Sequence, residues 1–275
     1  RGALGRRLAR WGGAEWGLGL SDLRVSDVRR AAQGRSALYV QKRGRGGRDR
    51  RAGDGAGKRA AFASYYGPLH FVGAAVAGAL LGLSSCEGVR EVVDLGCGTG
   101  AVGAAVSLLL PGAPRVSGVD ANASAVSACR RTFSALGVRG RGKVGRLPGA
   151  MPRLRAGTLA VAGWSLNELT PDDRESVLEA LSAGVSRGCG VLILEPLSTR
   201  AVPWWPALRA RFPRAIARAI RAPVERPEWI ERLDDATRAA PRDAPDLALC
   251  LAPPCAGGGP GRRRRACPAH ARPPA

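Results

Sequence analysis

The sequence predicts an α/β protein in which helices cover both faces of a doubly wound, mostly parallel sheet. Over about 100 residues, short apolar runs alternate with helix-like segments, a pattern typical of parallel strands joined by right-handed crossover helices. The apolar run at residues 91–95 is followed at once by a turn with alternate glycines and then by a helical segment. Residues 190–194 are continuously apolar, which suits a strand that is buried on both faces.

The individual elements follow from the period of the apolar residues and from end signals. The predicted strands are residues 91–95, 115–119, 143–144 (weak), 158–162, 190–194 and 246–251. The predicted helices are residues 69–83, 100–110, 123–136, 171–187 and 212–222. Asn122 and Thr170 are expected helix N-caps, and Gly137 is an expected helix terminator.

Composition divides the chain into three parts. Residues 1–59 are predicted to be a basic extension, with a short helix at 26–32 and a Gly/Arg-rich loop at 41–59. Residues 60–251 are the predicted α/β domain. Residues 252–275 are rich in Pro, Gly and Arg, and we predict a disordered tail because this segment has little to bury.

Residues 60–83 have almost no charge, so a membrane span has to be weighed against a buried helix. About 20 apolar residues would suffice for a span. However, Ala and Gly dominate the segment, and Pro68 and His70 interrupt it. A buried helix packed on the sheet edge is therefore favoured, with no membrane association and with His70 as a core or cleft residue.

Charge and cysteine content limit the partners and the compartment. The net charge of +21 suggests a polyanionic partner such as RNA. An alternative remains open, because only three of the 43 basic residues are lysines and an arginine excess also follows from a GC-rich coding sequence. The seven cysteines are odd in number, and the first four show no framework spacing. We therefore expect a reducing compartment and a cytoplasmic location.

The glycine turn permits two nucleotide-binding interpretations. The pattern G-x-G-x-x-G is present as Gly98, Gly100 and Gly103, with Asp120 beyond it, and favours a dinucleotide. That register makes Asp94 a mid-strand residue, and a buried unpaired carboxylate costs several kcal/mol. A register that begins at Asp94 instead places its carboxylate at the carboxyl end of the first strand, where such sheets bind ligands. We favour this second register.

In this register the motif at residues 94–100, Asp-Leu-Gly-Cys-Gly-Thr-Gly, resembles the first motif of the class I S-adenosylmethionine-dependent methyltransferases. The resemblance covers roughly residues 69–195 and implies a Rossmann-like sheet, S-adenosylmethionine as cofactor and methyl transfer as the activity. The cofactor-binding residues that it implies are Asp94, Gly96, Cys97, Gly98, Gly100, Asp120 and Ala121.

The resemblance also implies roles for the two carboxylates. Asp94 is expected to order the loop and to reach the methionine end of the cofactor through water. Asp120 is expected to accept both ribose hydroxyls, as an ionised carboxylate is a pure acceptor. The family usually has an acid or amide near the adenine amino group, but residues 145–149 contain none. Backbone groups are expected to recognise adenine instead.

The acceptor side is expected at the end of the fourth strand. Trp164 is predicted to stack on a flat acceptor such as a base, and Asn167 or Glu168 to orient its amino or hydroxyl group. These three residues are the predicted catalytic group, and Glu195 is a further cleft candidate. The alternative is that Asn167 and Glu168 merely lead into the helix that Thr170 caps.

A second resemblance concerns the tail. Residues 252–255 and 266–268, behind this domain and its basic front, resemble a methyltransferase-like family associated with the small ribosomal subunit, in which a cysteine cluster binds metal. The corresponding ligand set would be Cys250, Cys255, Cys267 and His270. Its irregular spacing favours a tail without a metal.

Three hypotheses of function follow. We favour a methyltransferase that acts on RNA, in particular ribosomal RNA. The alternatives are a ribosome-binding assembly factor with little turnover and a small-molecule methyltransferase. A nicotinamide-dependent oxidoreductase is disfavoured, because no catalytic His or Tyr constellation accompanies the loop.

Overall fold

The computed structural model of the chain describes residues 66–196, 202–220 and 246–251. The first helices and strands, in chain order, are α1 (Gly67–Leu80), β1 (Glu91–Leu95), α2 (Ala101–Leu109), β2 (Arg115–Asp120), α3 (Ala123–Leu136) and β3 (Gly140–Val144). They are followed by β4 (Thr158–Gly163), α4 (Pro171–Ser186), β5 (Gly190–Pro196), α5 (Trp205–Arg211), β6 (Ile216–Ile220) and β7 (Asp246–Leu251). Single 3-10 turns lie at Leu83–Ser85 and Leu166–Glu168.

The strands form one seven-stranded sheet in the order β3-β2-β1-β4-β5-β7-β6. Strands β1 to β5 run parallel, and β7 runs antiparallel to both β5 and β6. The chain builds outward from β1 to β3 and then crosses back to β4 on the other side of β1. The order therefore reverses between β1 and β4, and ligands bind at the carboxyl ends of strands at such a switch point. The predicted α/β class is confirmed.

Local signals in the sequence account for the helix boundaries. Asn122 caps α3 by accepting hydrogen bonds from the backbone N–H groups of Ser124 and Ala125. Gly137 ends the same helix in the left-handed conformation, with φ of 67°. Thr170 caps α4 by accepting from the N–H of Asp173. All three predicted end signals are confirmed.

The core has two layers, one on each face of the sheet. One layer packs the sheet against α1, α2 and α3, and its large buried side chains include Phe71 and Phe133. The other packs the sheet against α4 and α5 and includes Leu181 and Leu208. Burial of apolar surface on both faces is the main stabilising contribution to such a sheet.

Helix α1 packs closely on α2, and its buried residues belong to the same core layer as residues of the sheet. Its small residues allow this close approach of the two helices. A Cβ added to Gly78 would lie 2.6 Å from a methyl of Leu109 on α2. None of the helices in the described ranges is long and apolar enough to cross a membrane.

The helix predicted at residues 212–222 is wrong. Helix α5 ends at Arg211, and β6 follows, paired antiparallel with β7. Alanine and arginine favour a helix locally, but the pairing with β7 outweighs that preference. The strand predicted at 246–251 is confirmed as β7, and the weak strand near 143–144 is the end of β3. The predicted 26–32 helix, Gly/Arg-rich loop and tail lie outside the described residues.

Candidate active site

The turn between β1 and α2 is fixed by hydrogen bonds to the neighbouring strand. The N–H groups of Gly96 and Cys97 both donate to the carbonyl of Val119, at 2.8 and 3.0 Å. Gly96, Gly98 and Gly100 all have positive φ, between 51° and 77°. Residues other than glycine rarely adopt this backbone conformation, so the course of the backbone requires glycine at these alternate positions.

The surroundings of these three glycines differ. A Cβ on Gly96 would lie 2.6 Å from the Cβ of Ser165, and one on Gly100 would lie 2.7 Å from the Sγ of Cys129. A Cβ on Gly98 would meet nothing within 4 Å. Gly96 and Gly100 therefore serve packing inside the protein, and Gly98 is the glycine with room for a ligand.

Asp120 lies at the carboxyl end of β2, beside Gly98. Its Oδ2 accepts the N–H of Gly98 at 2.9 Å and its Oδ1 accepts the N–H of Asn122 at 2.8 Å. Each carboxylate oxygen can accept a second hydrogen bond, so the pair remains able to accept two hydroxyl donors. Ala121 follows and is exposed beside it.

Asp94 is placed beneath the turn rather than on its surface. Its side chain is 1% exposed, and Oδ2 accepts the N–H of Gly103, in the first turn of α2, at 2.9 Å. Burial raises the pKa of Asp94 to about 7. The carboxyl group thus orders the start of α2, as expected, but it has no surface with which to reach the methionine end of a cofactor in this conformation.

Cys97 also points into the protein. It is 5% exposed and would contact a Cβ on Gly118 of β2. Contact with the thiol of Cys129, together with burial, raises the pKa of Cys97. This thiol is therefore a packing group, and only its backbone lies in the turn.

The turn after β4 is anchored to two other parts of the site. The Oγ of Ser165 donates to the carbonyl of Leu95, at the end of β1, at 2.7 Å. Trp164 has φ of 52°, and its ring stacks on that of His70 from α1, with centroids 4.4 Å apart and planes at 10°. An aromatic residue at positive φ is strained and persists only when its surroundings hold it. A flat acceptor on Trp164 would have to use the ring face opposite His70.

Glu195, at the end of β5, fixes the same turn from behind. It is fully buried, and its Oε1 accepts the N–H groups of Leu166 and Asn167 at 3.0 and 3.3 Å. Its Oε2 is buried without a hydrogen-bond partner among the described residues. Burial raises the pKa of Glu195 to about 8.

The predicted acceptor residues Asn167 and Glu168 are placed differently from one another. The amide oxygen of Asn167 is buried and has no hydrogen-bond partner among the described residues. The side chain of Glu168 is exposed. The geometry therefore favours Glu168 over Asn167 as the group that meets an acceptor, although both stand on the turn that the sequence indicated.

The sequence placed His70 in the core or the cleft, but its stack on Trp164 was missed, because no local pattern links the two residues. It also missed Arg174 of α4, whose guanidinium lies 5.0 Å from the ring centre of Trp204 and donates to the carbonyl of Leu169. The signal available for Arg174 was only its position in the first turn of the helix that follows the acceptor turn.

Residues 78–146 match the family model described as "Methyltransferase small domain". The matched segment contains β1, the glycine turn, β2 and Asp120. This match, over about a quarter of the chain, supports a class I S-adenosylmethionine-dependent methyltransferase domain. It implies S-adenosylmethionine as the cofactor, in agreement with the resemblance.

Two solved structures are similar to the chain at low sequence identity. An S-adenosylmethionine-dependent methyltransferase from Aquifex aeolicus is 15% identical, covers 66% of this chain and 90% of its own, and has a TM-score of 0.44. A TehB-like S-adenosylmethionine-dependent methyltransferase from Corynebacterium glutamicum is 16% identical, covers 84% of this chain and 100% of its own, and has a TM-score of 0.45. No curated protein sequence matches the chain significantly.

The residues at the switch point fit S-adenosylmethionine. The open space at Gly98 allows close approach to the backbone, and the fixed carboxylate of Asp120 suits the ribose hydroxyls. Gly98 and Asp120 would hold the nucleoside, with Ala121 beside them. When bound, S-adenosylmethionine supplies an electrophilic methyl group on a sulfonium. The methyltransferase chain contributes the binding surface and the alignment of the acceptor.

Proposed function

We propose that this methyltransferase acts on RNA. The carrying observation is that the open glycine turn and Asp120 lie at the same sheet edge as the turn with Trp164 and Glu168. Ser165 joins the two parts directly through its hydrogen bond to the carbonyl of Leu95. The net charge of +21 supports a polyanionic acceptor over a small neutral one.

The residues of the turn have distinct tasks in this proposal. The indole of Trp164 offers a flat apolar surface for a base, because aromatic stacking is tolerant of base identity. Glu168, whose side chain is exposed, is assigned to accept the proton released by the acceptor. Glu195 lies behind the turn and positions it by accepting the N–H groups of Leu166 and Asn167.

The test is a methyl-transfer assay with radiolabelled cofactor on fractionated extract, in which RNA, protein and small molecules are separated. We expect label in the RNA fraction and none with Asp120→Ala. Label confined to protein or to small molecules would overturn the RNA assignment and leave the methyltransferase itself standing. Cofactor binding is measured separately by calorimetry, so that loss of cofactor and lack of acceptor are distinguished.

A second candidate is an RNA-binding assembly factor that holds the cofactor with little turnover. It is favoured by the burial of the Asn167 amide oxygen and of Glu195, because neither group can then meet an acceptor in this conformation. Cofactor binding and salt-sensitive ribosome binding without label in any fraction would support this candidate. Methyl incorporation into ribosomal RNA would count against it.

A further inference from the structure

Strand β3 forms one edge of the sheet and presents a row of cations. A Cβ on Gly140 would collide with Phe133, and one on Gly142 would lie 2.9 Å from Val126, so the glycines face α3. Because strand side chains alternate, Arg141 and Lys143 lie on the opposite face, and both are exposed. We call the exposed residues Arg139, Arg141, Lys143 and Arg146 the basic edge.

The charges of the basic edge are largely uncompensated. Within the described part of the chain, the side chains of Arg141, Lys143 and Arg146 have no carboxylate at salt-bridge distance and no hydrogen-bond partner. Arg139 donates to the carbonyls of Gly112 and Ala113, which leaves its charge unneutralised. The exposed described acids lie elsewhere, at Glu87, Glu168, Asp172, Glu175 and Glu179. All but Glu87 are on the β4–β5 side of the sheet.

The row points toward the site. At its carboxyl end, the N–H of Gly145 donates to the carbonyl of Asp120 at 2.9 Å, so Lys143 and Arg146 flank the nucleoside corner. Alternate residues of a strand are about 6.7 Å apart, which gives a linear row of cations suited to a linear polyanion. Three strand spacings, about 14 Å, separate β3 from β4 and its acceptor turn.

We propose that the basic edge binds the phosphate backbone of single-stranded RNA and directs the strand toward the Trp164 turn. This inference deepens the proposed function and rests on RNA as its acceptor. A single strand is preferred to a duplex, because bases must leave the stack to reach Trp164, and only an unpaired strand presents them freely. The charges would also discourage pairing between exposed sheet edges, a role that requires no affinity for RNA.

The test compares two triple variants that remove the same charge. One carries Arg141→Gln, Lys143→Gln and Arg146→Gln. The control carries Arg209→Gln, Arg214→Gln and Arg218→Gln, three exposed positions at the opposite side of the sheet, near the β6 edge. Binding of a fluorescein-labelled single-stranded RNA is measured by anisotropy over a series of salt concentrations, and folding is checked by thermal unfolding.

For the basic-edge variant, we expect the slope of log affinity against log salt to fall by about 2, because each phosphate contact to a single strand contributes about 0.7. The control should keep the wild-type slope. An equal decrease of this slope in both variants, or no RNA binding by the wild type, would overturn the inference. Binding to anionic phosphatidylserine vesicles in place of RNA would also overturn it. None of these three results would affect cofactor binding, so the methyltransferase assignment is tested independently.

Discussion

The carboxyl oxygen Oδ2 of Asp94 accepts the backbone N–H of Gly103 at 2.9 Å, and the pair joins the end of β1 to the first turn of α2. This contact requires Gly103 to be a glycine, since a Cβ there would lie 2.6 Å from the same oxygen. The pattern G-x-G-x-x-G therefore arises here from a carboxyl group packed against a helix start. The third glycine has no ligand-binding role.

The burial of Asp94 predicts an unusual pH dependence of stability. The unfolded chain releases this proton near pH 3.8, whereas the folded protein retains it up to about pH 7. In this window the folded state binds more protons, so the free energy of unfolding decreases as pH rises, by up to about 1.4 kcal/mol per pH unit. Asp94→Asn, which keeps an acceptor for Gly103, should remove that slope in urea unfolding at a series of pH values. The exposed Asp172→Asn is the control, and an unchanged slope in Asp94→Asn would contradict the assignment.

The different surroundings of the glycines predict different consequences of adding one methyl group. Gly98→Ala should cost about 1 kcal/mol of stability, because its φ is 51°, and should lower cofactor affinity at least about tenfold by filling the open space. Gly100→Ala adds a collision with Cys129 and should cost about 3 kcal/mol. Calorimetry and urea unfolding separate the two effects.

Gly112→Ala is the matched control for this pair. Its φ is 75° and a Cβ there meets nothing within 4 Å, but it lies in the turn after α2, away from the site. It should cost the same stability as Gly98→Ala and leave cofactor affinity unchanged. If Gly98→Ala bound the cofactor as tightly as Gly112→Ala does, the open space at Gly98 would not be the cofactor site.

Glu195 caps the turn at Leu166–Glu168 by accepting two of its N–H groups, and this predicts different stabilities for two substitutions. Glu195→Gln keeps an acceptor for the N–H groups of Leu166 and Asn167, whereas Glu195→Ala leaves both without it and should cost about 2 kcal/mol. The folded protein holds the Glu195 proton up to about pH 8, against 4.5 for the ordinary side chain, so this group too favours unfolding as pH rises. Glu195→Gln should therefore gain stability relative to wild type as pH rises from 4.5 to about 8. A loss equal to that of Glu195→Ala would show that the turn does not depend on this cap.

The sequence was sufficient for strands β1, β2, β4 and β5, because they are largely apolar and are bounded by turn signals. Strand β1 and helix α3 were predicted with their observed boundaries. The prediction failed at β6, where five residues depend on pairing with β7, a strand that is distant in the sequence. Helix propensity describes only local preference, so no local pattern distinguishes such a strand from a helix.

The site was predictable in its location but not in the division of its roles. The carboxyl ends of parallel strands meet at one edge, and Asp120 and Trp164 lie at that edge, as their positions at the ends of β2 and β4 predicted. The roles of Gly96 and Gly100 depend on Ser165 and Cys129, which only the fold brings near. Accordingly, Asp94 and Cys97 are cofactor-loop residues in the sequence pattern and packing groups in the structure.

The stack between His70 and Trp164 makes α1 part of the proposed acceptor site. Removing the ring in His70→Ala should release the strained backbone of Trp164 and lower turnover on RNA, while cofactor affinity, measured by calorimetry, stays unchanged. His70→Phe keeps a flat ring at the same place and should restore most of the activity, because stacking of this kind contributes about 1 kcal/mol. The near-ultraviolet circular dichroism band of Trp164, identified with a Trp164→Phe variant, should change more in His70→Ala than in His70→Phe. If His70→Phe were as impaired as His70→Ala, the imidazole itself rather than its ring surface would be required, and His70 would have to be assigned a polar role at this turn.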